Sequence, residues 1–95
     1  MRVVSISQAD VESAEKAHIF AAWSNLVTGE RPQGLMDCYV LEGDAVIQVV
    51  GVWENAEAHD RALHDEANHP AFVVFEAAGV ETTHTVNKVV GSFEG

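Results

Sequence analysis

The chain is short of positive charge: its 95 residues include five Lys and Arg against 15 Asp and Glu, a formal net charge of −10. A surface of that sign repels phosphate backbones and anionic bilayers, so nucleic acid and membrane are poor partners. Cysteine is scarce as well. Cys38 stands alone, which rules out an intramolecular disulfide and gives no reason to invoke an oxidising compartment; a reduced cytoplasm fits best. Long apolar runs are missing. Nothing after Met1-Arg2 has signal-peptide character, and no window approaches the roughly 20 apolar residues that cross a bilayer. With no repeat, low-complexity tract or Pro/Gly/Ser linker, residues 1–95 read as one domain.

What is present centres on Gly34 to Trp53, GLMDCYVLEGDAVIQVVGVW. Gly43-Asp44 separates two apolar runs of strand length, and Gly accepts the positive φ of a tight turn, so 35–42 and 45–53 are predicted to pair as a hairpin. The second run has only Gln48 clearly polar, which calls for cover on both faces. A chain this short supplies helices for one face, and a partner subunit is expected on the other.

Around the hairpin, VVSIS over 3–7 predicts a first strand. Asp10 is a candidate N-cap for a helix over 11–28, with Ile19, Phe20, Trp23, Leu26 and Val27 as its apolar stripe. Glu30 to Gln33 is a loop. Asn55 is a fair cap for a second helix over 56–67, Pro70 suits the first position of a short helix ended by Gly79, and the Thr/Val-rich run 81–90 predicts a fourth strand. The order βαββαβ is the ferredoxin-like split βαβ: an α+β fold with a four-stranded antiparallel sheet and its helices on one face.

A chain of this length and order, with PQG before the second strand, VWENAEA leaving the third and HPAF opening the terminal helix, resembles the antibiotic biosynthesis monooxygenase-like family of dimeric α+β barrels. The resemblance implies a homodimer joined sheet face to sheet face and a small-molecule cavity between sheet and helices. It implies a cofactor-independent monooxygenase acting on an aromatic or quinone-type metabolite, with no cofactor and no metal. The alternatives are a non-oxidative cyclase or isomerase of the same fold and a non-catalytic dimeric ligand-binding module. The haem-degrading branch is the least similar, since Glu66 and Glu76 stand where it carries Trp and His. Plant polyketide cyclases place a catalytic His where this chain has Phe72, so no family-wide catalytic set carries over.

The residues that could do chemistry are therefore weighed individually. His59, His64 and His69 recur every five residues, about 140° apart on a helix, a spacing that argues against their sharing one metal. His64 and Asp60 stand at i and i+4, as an oriented base or a solvated ion pair. His69 is either a base at the cavity mouth or a cap on the short helix. His84, in the fourth strand, is an interior histidine or a second catalytic candidate. His18 and His59 are expected on helix surfaces. Trp53, Trp23, Tyr39 and Phe72 are candidates to wall the substrate cavity, with core packing the alternative for the tryptophans and a partner-chain contact the alternative for Tyr39. Cys38 has no basic neighbour in sequence and reads as packing. His69 is the leading base, and an unperturbed imidazole would titrate near about 6.5.

Overall fold

A computed structural model describes residues 1–65 and 69–94. Seven elements run in the order β1 (Val3–Asp10), α1 (Ser13–Leu26), β2 (Leu35–Glu42), β3 (Val46–Trp53), α2 (Ala56–His64), α3 (Pro70–Ala78) and β4 (Thr83–Lys88). The strands form one antiparallel sheet ordered β2-β3-β1-β4. This is the ferredoxin-like α+β arrangement expected from the sequence. Among the described residues no helix is long and apolar enough to cross a membrane. The expected extension of α2 through residues 66 and 67 falls outside the described residues.

Local chemistry explains where the elements begin and end. β1 continues three residues past the expected stop because its whole length pairs with β3, from Val3 opposite Trp53 to Asp10 opposite Val46. Asp10 therefore ends a strand and does not cap α1. That helix starts two residues later than expected, behind Glu12, whose backbone N–H donates to Glu15 Oε1 at 2.8 Å. Asn55 caps α2 as expected, its Oδ1 accepting from Ala58 N at 2.8 Å. Pro70 opens α3, and Gly79 closes it at φ 67°.

The hairpin forms, but not through a positive-φ glycine. Among the described residues only Gly34 and Gly79 have positive φ. Gly43 lies instead where a Cβ would stand 2.7 Å from Val46 Cγ1. Lys16 secures the turn, its Nζ donating to the Gly43 and Asp44 carbonyls at 2.9 and 2.8 Å and lying 3.1 Å from Glu42 Oε2.

One helix-covered face of the sheet holds the core: Ala9, Ile47 and Val49 meet Ile19, Ala71, Val74 and Phe75, while Val3, Leu35 and Trp53 meet Ala58 and Ala62. On α1 the inward stripe is Ile19, Ala22, Trp23 and Leu26; Phe20 and Val27, counted into it from spacing, are exposed. β3 alternates, with Ile47, Val49, Gly51 and Trp53 buried and Val46, Gln48, Val50 and Val52 half-exposed. Its outward residues are thus the uncovered set that the apolar run anticipated. β1 makes the same point, because its bulkier Val4 and Ile6 face outwards while Ser5 and Ser7 are buried.

β2 departs from simple alternation. Its pairing with β3 shifts register between Leu35 and Asp37, a bulge at Met36. Leu35 is consequently buried with Cys38 packed against it, while Tyr39 and Leu41 point away, 52% and 48% exposed. Plain alternation over 35–42 would put Leu35 and Tyr39 on one face, and that one extra residue separates them. Arg31 holds the bulge by donating from Nη1 to the Met36 carbonyl at 2.8 Å.

Candidate functional site

The helix-facing side of β1 carries two serines where a core would ordinarily take larger apolar groups. Each has a partner. Ser5 Oγ accepts the Trp53 indole N–H at 3.0 Å, in a gap kept open by Gly51, where a Cβ would stand 2.8 Å from Trp53 Nε1 and 2.9 Å from Ser5 Oγ. Ser7 lies opposite His84 in the sheet and bonds its Nδ1 at 2.5 Å. His84 Nε2 in turn meets His59 Nε2 at 3.1 Å, and His59 Nδ1 lies 3.5 Å from Asp60 Oδ1. Ser7, His84 and His59 thus form one line that ends at the exposed Asp60 carboxylate. Two imidazole nitrogens at 3.1 Å need a proton between them, since facing lone pairs repel.

His69 closes the group. Its ring centroid lies 5.3 Å from that of His59, 5.3 Å from that of His84, 4.7 Å from Phe72 and 5.6 Å from Trp53. Only 2% of the residue is exposed, and neither ring nitrogen has a hydrogen-bond partner among the described residues. It stands at the cap position of α3 without capping it through its side chain, so the capping alternative is set aside. Desolvation, reinforced by the neighbouring His84 and His59, lowers its pKa to about 4. Burial, then His59, lowers that of His84 as well. The free-solution value of about 6.5 does not apply to His69.

The depressed pKa predicts acid sensitivity. A neutral His69 is favoured by the fold, so its contribution is fully present above about pH 6.5 and is lost as pH falls toward about 4, where the unfolded chain takes up the proton first. A depression of that size corresponds to on the order of 3 kcal/mol. The urea midpoint should therefore drop between about pH 7 and about pH 4.5, and drop less in His69→Leu. An equal drop in both proteins would refute the assignment.

The other sequence candidates separate. His59, expected on a helix surface, is 1% exposed, because the inward stripe of α2 runs through Ala58, His59 and Ala62. Asp60 approaches His59, and His64 lies exposed outside the group. The five-residue spacing of His59, His64 and His69 argues against a shared site only along one continuous helix; α2 and α3 are separate, and the structure gathers His59, His69 and His84. Trp53 is fully buried between the histidines and the core, whereas Trp23 lines a cavity of about 250 Å³ with Leu26, Arg31, Leu35, Cys38 and Pro70. His69, expected at the cavity mouth, is buried and does not line that cavity; neither do Trp53, Tyr39 and Phe72, and Tyr39 lies on the opposite face of the sheet. Burial pushes the Cys38 thiol up to about 11, against the opposing pull of Arg31, so it stays protonated. Ser5, Ser7 and His59 are the contributors that sequence reasoning missed. The available signal was the parity of VVSISQA, which puts both serines on one face.

The fold is that of the antibiotic biosynthesis monooxygenase-like proteins, and the resemblance read from the sequence holds at that level. A protein named as an antibiotic biosynthesis monooxygenase from Deinococcus radiodurans superposes with a TM-score of 0.75 at 15% identity, covering 97% of this chain and 96% of its own. A mutant form of SnoaB, a cofactor-independent oxygenase from Streptomyces nogalater, gives 0.72 at 18% identity over 99% of this chain and 98% of its own. Rv0793 from Mycobacterium tuberculosis gives 0.74 at 12% identity over 99% and 100%. No family model matches the sequence, and no curated protein matches it.

Proposed function

We propose that the protein is a small cofactor-independent monooxygenase-like enzyme for an aromatic or quinone-type metabolite, with His69 as its base. The observation that carries this reading is the His69 ring, held neutral among buried aromatic and imidazole rings with both nitrogens unengaged among the described residues. Such chemistry needs a base that converts a phenol or quinol into an anion able to give an electron to oxygen. Pro70, the next residue, lines the cavity beside Trp23, Leu35 and Cys38, at the small end of ligand-binding volumes. The fold shared with SnoaB supports the same reading. Oxygen uptake with hydroquinones and anthrones, in chelator-treated protein without flavin, tests it. Proton exchange or cyclisation without oxygen uptake would favour the cyclase or isomerase reading.

The second part of the proposal is assembly. Met36, Tyr39 and Leu41 are 42%, 52% and 48% exposed on β2, beside outward-facing Val50, Val52, Val4 and Ile6 on the neighbouring strands. In the proposed assembly a second copy of the same chain covers that face and closes the barrel. Sedimentation at micromolar concentration should give a dimer, and Tyr39→Glu should give a monomer. A wild-type monomer of 10.3 kDa would sink the barrel.

A further inference from the structure

We propose that His59, His69 and His84 form a binding site for a divalent first-row transition-metal ion, with zinc the simplest occupant. The proposal goes beyond the oxygenase reading and does not depend on it.

The geometry is the first support. One nitrogen from each ring lies within 4.8 Å of the others, and the three centroids form a triangle of side 5.3 Å. Zinc binds imidazole nitrogen at about 2.0–2.1 Å, which puts the ion about 3.2 Å from each centroid and tetrahedral rings about 5.2 Å apart. The ring positions already match that spacing. Tetrahedral nitrogens at that bond length stand about 3.3 Å apart. The Nε2 atoms of His59 and His84, at 3.1 Å, open slightly, and His69 turns inward.

The surroundings are the second. His84 is oriented through Nδ1 by Ser7, and His59 Nδ1 lies 3.5 Å from Asp60 Oδ1, so the two Nε2 atoms are turned toward each other. An outer hydroxyl or carboxylate on the far nitrogen is how metal-binding imidazoles are fixed in tautomer and direction. An ion takes the place of the proton between the two Nε2 atoms. It also gives His69 a partner: two buried ring nitrogens without one are costly, and an ion satisfies one of them. Among the described residues His69 has no side-chain hydrogen bond to lose in turning.

The donor set defines the class of ion. Three neutral imidazoles suit zinc, cobalt, nickel, copper or ferrous iron and do not suit magnesium or calcium, which require oxygen. Three protein ligands also leave at least one position for an outside donor. Ion and substrate proton would compete for the same lone pair on His69, so a zinc-loaded protein should lose any turnover that uses His69 as base.

Titration of chelator-treated protein with Co²⁺, followed by visible absorption, and with Zn²⁺, followed by calorimetry, tests the proposal. The expected result is one ion per chain, with the intense bands of a four- or five-coordinate cobalt site. His59→Ala, His69→Ala and His84→Ala should each weaken binding by about 100-fold or more, while the exposed His64→Ala and His18→Ala leave it unchanged. Should a core variant fail to fold, imidazole ¹⁵N shifts of the wild-type protein decide: zinc should move those of His59, His69 and His84. Absence of binding at millimolar metal, affinity that survives loss of His69, affinity abolished with His64 or His18, or unmoved interior resonances would each overturn it. Oxygen uptake in chelator-treated protein reports on the oxygenase reading alone.

Discussion

Replacing His69 with alanine in the metal-free protein is expected to lower the turnover number by roughly 10²–10⁴, the range for loss of a general base. The proposed dimer and the cavity should survive, because the ring makes no hydrogen bond among the described residues and Pro70 still starts α3. The pH profile distinguishes this base from an ordinary histidine. With its pKa lowered to about 4, His69 is neutral throughout the physiological range, so the rate should stay level from about pH 8 to about pH 5 and fall only near the lowered value. An ionisation near about 6.5 would point to a base other than His69. Full activity in His69→Ala would remove His69 from the chemistry, leaving His84 or a substrate that ionises unaided. Replacing His64, exposed and outside the histidine group, should change little.

Trp53→Ala is expected to be the most damaging single change to stability, at about 4 kcal/mol by comparison with other large-to-small core substitutions. The side chain is fully buried and joins two layers, packing on Leu35 and Ala58 and lying against the rings of His59 and His69. A domain of this size has roughly 5–15 kcal/mol in total, so the variant should melt far lower or fail to accumulate. Trp53→Phe separates volume from hydrogen bonding: it keeps much of the packing but removes the donor to Ser5 Oγ, leaving a buried hydroxyl at a cost of about 1–3 kcal/mol. Urea unfolding of both variants tests the ordering. A Trp53→Ala protein within about 1 kcal/mol of wild type would show that the layer repacks without it.

The fold was legible because its signals are local. The β-branched run of β1, the apolar run of β3, the Asn55 cap, Pro70 at the start of α3 and Gly79 at its end each depend on a few neighbouring residues, and each lies in the element expected. The site was legible only in part because its contacts are distant in sequence. His69 and His84 could be nominated as chemically capable, but Ser7 and His84 meet through strand pairing across 77 positions and His59 meets His84 across 25. His59 is expected on a helix surface because a histidine among acidic neighbours looks exposed, whereas the phase of Ala58 and Ala62 puts it inside. The bulge in β2 also left no mark in the hydrophobic pattern, since both Leu35 and Tyr39 suit a buried face.

That bulge makes Met36 a parity switch for the whole of β2. Upstream of it Leu35 looks toward the helices; downstream, Cys38 and Val40 take the inner side while Tyr39 and Leu41 are turned to the face proposed for the second copy. Straightening the strand without changing its length would restore plain alternation and force a choice between two incompatible strands. Either Leu35 keeps its place and Tyr39 and Leu41 are driven inward against the cavity wall, or the hairpin stays in register and Leu35 leaves the Trp53 layer. Cavity shape and self-association are therefore linked in this chain through the bulge at this single position.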